Sequence, residues 1–438
     1  MKKEVLKNLY TSFLLAASPE KCLTQLGPIR NTGRILIVGI GKAAIPYCQQ
    51  LQRKVRSDYS GIIITTPTKN FPTDLDAFKI FYANHPIPDE DGLFATEYLI
   101  EKIKELTSND LLLFLVSGGG SALLPSPPIG FKLKDEILLN KILLRCGAPI
   151  QVMNLIRKHF SRVKGGRLAR LAYPAKVRTL VVSDIPHDDI SQVASGPTLA
   201  TPGSAQDALD AIKKYNINIP NNIRTYFKSD KVDTPLPDDL CFKENIQEQL
   251  ASASKCMNSV VNFARSKLTR VIVISDSSEG EAKHVAVEHA RFIRDNLGTC
   301  SIGSCEQVLF LSGGETSVTI VNPKGKGGRN SEYLLSLAIK LESYNLGPYA
   351  AIAADTDGID GTGQNAGAII DQSTLSRIRA QNLFPEELLE KNNSYVAFEV
   401  ADDLFFTGPT GTNVNDFRAV IFNMKEVSAN SKGEKYGT

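Results

Sequence analysis

Several short clusters of small, polar and charged residues have the composition to handle phosphate, and each follows an apolar run. Gly118-Gly119-Gly120-Ser121 comes after Leu111 to Val116. Glycines let backbone N–H groups approach an anion closely, so this stretch reads as a phosphate cradle. No GKS or GKT follows it, so it is not a Walker A loop. Gly39-Ile40-Gly41-Lys42-Ala43-Ala44 comes after Ile35 to Val38 and fits a GxGxxA dinucleotide fingerprint. The next apolar run ends in Thr65-Thr66, without the acidic residue that would hold a ribose hydroxyl. Lys42, at a helix start, would instead bring an ammonium beside bound phosphate.

Asn154, Arg157, Ser161 and Lys164 are spaced 3, 4 and 3. One continuous helix would align them on a face of donors suited to a carboxylate or phosphate. Lys158 and Arg162, off that stripe, read as a solvated basic face. Ser183-Asp184-Ile185-Pro186-His187-Asp188-Asp189 puts three carboxylates after another buried run, enough for Mg²⁺ with phosphate oxygens and water completing its shell. Farther on stand Gly313-Gly314-Glu315-Thr316 and Gly327-Gly328-Arg329-Asn330, where a planar guanidinium could clamp a phosphoryl group. Asp355-x-Asp357-Gly-x-Asp360 imitates part of a Ca²⁺ loop but lacks its bidentate Glu. Gly408 to Asp416 reads as a loop that closes over a site. There is no serine-hydrolase elbow and no HExxH.

These clusters need strands to place them. The apolar runs do not alternate, which implies burial on both faces and parallel sheets covered by helices. Ala44, Cys48, Leu51 and Val55 form one helical stripe; Asp91 is expected to cap a second helix carrying Ala95, Leu99, Ile103 and Leu106. Strand–helix alternation is the α/β pattern, and open α/β sheets bind ligands at strand carboxyl ends. The endings SGGG then SD, and later SD then SGGE, suggest two α/β units facing a common cleft. A first amphipathic helix is expected to end near Ser18-Pro19, and the polar stretch from Thr201 to Lys267 is a place for a domain crossover.

Composition narrows the classes. With 438 residues there is chain for two or three domains. A net charge of +3 argues against a protein held to nucleic acid by bulk charge. No apolar run approaches the roughly 20 residues that span a bilayer, so no membrane partner is expected. The apolar run Phe13 to Ala17 is too short for a secretory core. Seven cysteines without a CxxC pair read as reduced thiols in a cytoplasmic protein.

Taken together, GIGKAA at 39–44, NHPIPDEDG at 84–92, LVSGGGSALLPSP at 115–127, MNLIRKHFSRVKGGRLA at 153–169, VSDIPHDDISQVASGPT at 182–198, SGGETSV at 312–318, GKGGRNSE at 325–332, DTDGIDGTGQNAGA at 355–368 and TGPTGTNVNDF at 407–417 cover nearly the whole chain. In these motifs the chain resembles the MOFRL-type (class II) glycerate 2-kinases, some relatives of which carry a hydroxypyruvate reductase label. The resemblance implies ATP-dependent, Mg²⁺-assisted phosphorylation of D-glycerate at its 2-hydroxyl, giving 2-phosphoglycerate and ADP. It implies two unlike α/β domains around a cleft: a larger Rossmann-like domain with a parallel sheet, taken as 1–245, and a smaller mixed-sheet domain, 246–438. It also implies that Lys42 and Arg329 are active-site residues.

On that basis Gly118, Gly119, Gly120, Ser121 and Glu315 are expected at the nucleotide phosphates. Lys42 and Arg329 are expected to neutralise charge, and Asn154, Arg157 and Lys164 to hold glycerate. Asp184 and Asp189 are expected at Mg²⁺, with Asp189 also the candidate acceptor of the hydroxyl proton. His187 stands where relatives often have Gly. An NAD(P)H-dependent hydroxypyruvate reductase and a non-catalytic phosphosugar sensor remain as alternatives, and a homodimer is left open.

Overall fold

The structure, a computed structural model, describes residues 2–68, 74–185, 189–229, 231–265, 269–297 and 307–424. His187 and Asp188 lie outside them. The chain forms two units, each described by itself: a parallel-sheet domain of Pro19–Ile185 and Asp189–Leu250, and a mixed-sheet domain that combines Met1–Ser18 with Ala251–Thr438.

In the parallel-sheet domain six strands, β1 (Ile35–Ile40), β2 (Tyr59–Thr65), β3 (Phe78–Tyr82), β4 (Leu111–Val116), β5 (Lys176–Val182) and β6 (Ile246–Ala251), lie in the order β3-β2-β1-β4-β5-β6. This is the Rossmann order, whose switch point falls between β1 and β4. Every residue of β1 is buried, as its unalternating sequence requires. Its register sets Ile40 opposite Val116, so the two turns leave the sheet at the same level.

Ala95, Leu99 and Ile103 of the helix Glu90–Lys104 are fully buried in the core beside β1 and β4. The helix is capped by Asp89, not Asp91: Gly92 N–H donates to the Asp89 carboxylate at 2.9 Å, an arrangement worth about 1 kcal/mol. The polar stretch after Thr201 is also more ordered than its composition suggests. Helices Ala205–Lys214 and Asn221–Phe227 bury Ala208, Ile212, Ile223 and Phe227 against Leu139, Leu143, Ile156 and Phe160. This small helical core carries the helix Ile150–His159.

The mixed-sheet domain contains β7 (Thr269–Ser275), β8 (Gly280–Glu281), β9 (Gln307–Ser312), β10 (Thr316–Ser317), β11 (Tyr349–Asp355), β12 (Gly367–Asp371), β13 (Leu404–Phe405) and β14 (Asp416–Asn423). Its main sheet runs β13-β12-β11-β14-β9-β7, with only the β7–β9 pair parallel; β8 and β10 form a separate parallel ribbon. Tyr349, Ala351 and Ala353 of β11 face a core built with helices Ala282–Leu297 and Arg329–Tyr344. Residues of the other parity, Ala350, Ile352 and Ala354, are equally buried, since helices cover both faces.

The domain boundaries differ from the sequence expectation in two places. Strand β6 keeps the chain in the parallel sheet past residue 245. The first helix, Lys2–Ala16, belongs to the mixed-sheet domain: Leu6, Tyr10 and Phe13 are buried there, and the Tyr10 ring meets Phe405 edge-on at 5.2 Å. Its apolar stripe needs a partner, and the partner lies almost four hundred residues away in sequence. Among the described residues no helix is long and apolar enough to cross a membrane, and Cys48, Cys146 and Cys241 are free thiols.

Candidate active site

At the switch point of the parallel sheet the two glycine turns are tied together. Lys42 N–H donates to the Gly118 carbonyl at 3.0 Å, and Ala43 N–H to the Ser117 hydroxyl at 3.2 Å. Thr65, at the end of β2, donates its hydroxyl to the Gly41 carbonyl at 2.9 Å, so this strand end braces the turn and offers no carboxylate. Gly119 adopts φ +84°, and a Cβ there would sit 3.2 Å from the His85 ring and 3.4 Å from Lys42 Cγ. Glycine is required by both the conformation and the close approach.

Lys42 and His85 thus lie over the glycine turn. Desolvation of the His85 ring, reinforced by the Lys42 charge, pushes its pKa down to about 4, so the imidazole is neutral at pH 7. No acceptor among the described residues engages the backbone N–H groups of Gly118, Gly119, Gly120 or Ser121. The helix that follows is only Gly120–Leu123. The turn's own N–H groups, rather than a long helix dipole, are the part of it with the chemistry to meet an anion.

A hydrogen-bonded chain leads away from this turn. The Ser121 and Ser195 hydroxyls are 3.1 Å apart; Ser195 also donates to Asn154 Oδ1 at 3.1 Å, and Arg157 Nη1 reaches the same oxygen at 3.2 Å. Arg157 Nε donates to Asn140 Oδ1 at 3.0 Å. Ala194, Ser195 and Gly196 all have positive φ. Two non-glycine residues in that region are backbone strain of the kind that collects at functional sites. Asn154, Lys158, Asp189, Gln192 and Ser195 are among the residues lining a cavity of about 340 Å³. Asp189 caps the turn Ile190–Ser195, accepting from Ser191 N–H at 3.1 Å and Gln192 Nε2 at 3.2 Å. Asp184 is half-buried just beyond β5.

Three sequence expectations are revised here. The helix carrying Asn154 and Arg157 stops at His159, so Ser161 and Lys164 do not continue its face. Lys164 is 1% exposed, and its ammonium donates to Glu136 at 2.9 Å and to the Leu124 carbonyl. The structure gives it an internal partner in place of an open donor face. Lys158, read as solvated, is 3% exposed, because a turn of the 201–203 segment wraps its ammonium. Arg162 pairs with Glu97.

The mixed-sheet domain builds a different cluster. Antiparallel pairing sets Asp355 at the end of β11 directly opposite Asp416 at the start of β14. Arg329, first residue of the helix Arg329–Tyr344, donates from Nε to Asp416 at 2.9 Å, from Nη2 to Asp355 at 2.7 Å and from Nη1 to Glu315 at 2.7 Å. Asp416 is fully buried, and its second oxygen accepts from Arg418, which also reaches the Gly313 carbonyl. Asp360 accepts from Asn330 N–H and Ser331 N–H at 2.9 and 2.8 Å, capping the helix that carries Arg329.

Burial works against the Arg329 charge, but the Asp416, Asp355 and Glu315 carboxylates overcome it and hold the guanidinium protonated. Burial, then the Asp416 charge, raises the Asp355 pKa well above the usual carboxylate range, with Arg329 opposing. Glu315 is the exposed member, with its side chain 50% accessible against 6% for Asp355 and 0% for Asp416. The sequence reading missed Asp355, Asp416 and Arg418. Asp355 and Asp416 stand at strand ends, the first obscured by the resemblance of 355–360 to a Ca²⁺ loop, and Arg418 lies inside β14 with no local signal.

Comparison with known proteins agrees with both domains. A family model described as a domain of unknown function, DUF4147, matches residues 5–228, and the MOFRL family model matches 308–416. A D-glycerate 2-kinase of Thermotoga maritima is 34% identical over 92% of this chain and 94% of its own length. An Agrobacterium vitis protein provisionally named hydroxypyruvate reductase is 38% identical over 89% of this chain and 99% of its own. Among solved structures, a glycerate kinase from Thermotoga maritima superposes with a TM-score of 0.82 at 31% identity, covering 96% of this chain and 99% of that one.

Proposed function

The chain belongs to the MOFRL-bearing glycerate 2-kinase family, and from that premise we propose that it transfers the γ-phosphoryl group of ATP to the 2-hydroxyl of D-glycerate, giving 2-phosphoglycerate and ADP. The glycerate oxygen forms the new bond to phosphorus. The bond to the β,γ-bridging oxygen breaks with its electron pair on ADP, and the hydroxyl proton passes to a base. Such a transfer depends on positioning and charge neutralisation more than on covalent chemistry.

The observation that carries this reading is the pair of turns at the β1/β4 switch, with four backbone N–H groups that meet no acceptor among the described residues, beside a lysine and a neutral histidine. Gly118, Gly119, Gly120 and Ser121 would hold nucleotide phosphates, and Lys42 would offset their charge. Asn154, fixed by Arg157, would face the acceptor, and Asp189, a cavity-lining carboxylate, would take its proton. In the mixed-sheet domain Arg329 would exchange its exposed partner Glu315 for a phosphate oxygen, keeping Asp355 and Asp416 as its anchors.

Among the described residues no three His, Cys, Asp or Glu side chains cluster as a metal cage. Half-buried Asp184 and exposed Asp189 could supply the one or two carboxylates that Mg²⁺ takes when it arrives on nucleotide phosphates. Asp184 would hold it, with Asp189 close in sequence; when bound it would offset charge on the β- and γ-phosphates.

Incubating the full chain with ATP and D-glycerate while coupling ADP release to NADH oxidation, with the product identified by NMR, tests the reaction. ADP release dependent on glycerate and a 2-phosphate product are expected; no ADP release sinks the reading. The reductase reading would need NADH consumption with hydroxypyruvate alone. Thr65, where that reading requires a ribose-binding acid, is bonded to the Gly41 carbonyl instead.

A further inference from the structure

The cavity lined by Gln151, Asn154, Leu155, Lys158, Asp189 and Ser195 has a feature that hydrogen bonding alone leaves unexplained. Lys158 is buried, and its ammonium donates to the Thr201 carbonyl at 3.0 Å, the Thr201 hydroxyl at 2.9 Å and the Pro202 carbonyl. All three acceptors are neutral. Arg157, on the same helix, donates to the amide oxygens of Asn140 and Asn154. Among the described residues neither cation forms an ion pair with a carboxylate. Buried charges are ordinarily paired, because neutral dipoles compensate only part of the lost hydration. A buried ammonium held only by neutral acceptors beside an open cavity, with half-buried Arg157 next to it on the helix, is therefore an electrostatic setting that an anion completes.

The rest of the wall narrows the anion. At about 340 Å³ the cavity is at the small end of ligand sites, the size for a short acid rather than a nucleotide. Its cation is buried and its carboxylate, Asp189, is exposed. A hydroxy acid matches that polarity, with its carboxylate toward Lys158 and its hydroxyl toward Asp189. The Ser195–Ser121 contact joins this wall to the glycine turn of β4 in one hydrogen-bond step.

We propose that this cavity is the acceptor site, selecting a small 2-hydroxy carboxylate over its uncharged analogues through the buried Lys158 cation, with Asn154 and Ser195 holding the bound acid. The proposal rests on the kinase reading above and adds to it the residue that recognises the acid.

Initial rates on the full chain at saturating ATP, with D-glycerate or its neutral amide as acceptor, test it. Lys158→Met keeps the aliphatic stem and removes the charge. It should raise the glycerate KM roughly ten- to a hundredfold with the ATP KM unchanged, and shrink the preference for acid over amide. Lys158→Arg should recover part of that preference. Should Lys158→Met fail to fold, Leu155→Phe, which fills the cavity, should raise the glycerate KM alone. If the unmodified chain shows no glycerate-dependent ADP release, the kinase reading fails. If it turns over but Lys158→Met keeps its acid preference, or the two KM values rise together, the acceptor-site assignment fails while the kinase reading stands. An unchanged glycerate KM in Leu155→Phe overturns the assignment equally.

Discussion

Around Arg329 the protein wraps one guanidinium in three carboxylates, whereas buried Lys158 and half-buried Arg157 bond only neutral oxygens. A close pair of opposite charges near a protein surface attracts with about 4 kcal/mol at 4 Å. Arg329 therefore already has its anions, and a phosphate reaches it only by displacing one of them. Glu315 is the exposed partner and the one that can leave. Among the described residues Lys158 has no carboxylate partner to displace, and the one acid on its cavity wall, Asp189, is bonded to Ser191 and Gln192. The two arrangements teach different things about a buried cation: one anchors its surroundings and exchanges at a single edge, and the other is completed by a ligand.

The sharpest way to break this contrast is to delete a cation on each side. Lys42→Ala and Arg329→Ala should each lower kcat about a hundred- to a thousandfold, the usual effect of removing a charge-stabilising group. Only Arg329→Ala should also destabilise its domain, by about 3–5 kcal/mol, because buried Asp416 and Asp355 lose their partner. Initial rates and urea unfolding followed in parallel separate the two. Equal stability in both variants would mean that the three carboxylates do not depend on Arg329.

Lys164 gives the next largest effect and extends the contrast to a closed pair. Lys164→Met leaves Glu136 buried without its cation and should cost about 3–5 kcal/mol. Adding Glu136→Leu should restore much of that loss, since an apolar pair can replace a buried ion pair. The glycerate KM should stay within about twofold in both. A selective rise in KM would return Lys164 to the acceptor site.

Such distinctions were only partly readable from the residues. The unalternating runs of β1 and β4 announce buried strands, and their Gly, Ser and Lys endings announce a ligand-facing turn, because both signals are local. Spacing puts Lys164 on the donor stripe and Lys158 off it, and neither position announces a buried ammonium. What separates them is whether a distant Glu136 or the 201–203 turn closes over the ammonium. Likewise β11 is apolar up to its last residue, and nothing in it says that its neighbours run antiparallel, yet that register alone brings Asp355 to Asp416. The amphipathic first helix was legible as a helix but not its destination, since an apolar stripe does not name its partner.

The Lys158 arrangement also makes a pH prediction that the Arg329 cluster does not share. Burial, followed by the Arg167 charge, pushes the Lys158 pKa down to about 8, with Asp207 opposing. His159 is neutral beside it, its own pKa pushed down to about 4, and Asp189 lies on the cavity wall. The ammonium is charged below that pKa, so the glycerate KM should rise several-fold between about pH 7.5 and 9.5 while the ATP KM does not. Stability moves the other way. The unfolded lysine titrates near 10.4, so between about pH 8 and 10.4 the unfolded chain binds more protons and stability increases with pH, by up to roughly 3 kcal/mol. Lys158→Met should flatten both profiles; a wild-type KM that is level across this range would show that the charge plays no part in acceptor binding.

The smallest expected effect tests how the far end of the chain supports the carboxylate-wrapped arginine. Tyr10 donates its hydroxyl to the Asp355 carbonyl at 2.8 Å, while its ring packs on Phe405 and Phe417. Tyr10→Phe keeps the ring contacts and removes one buried hydrogen bond, which should cost about 1 kcal/mol of stability. Because that carbonyl belongs to the residue whose carboxylate holds Arg329 Nη2, kcat should also fall, by less than about tenfold, with the glycerate KM unchanged. A stability loss with full kcat would make the first helix a cover for the sheet alone. A fall in kcat at unchanged stability would mean that the bond acts chiefly on the aim of the Asp355 carboxylate, and so that the geometry around Arg329, beyond its net charge, sets the rate.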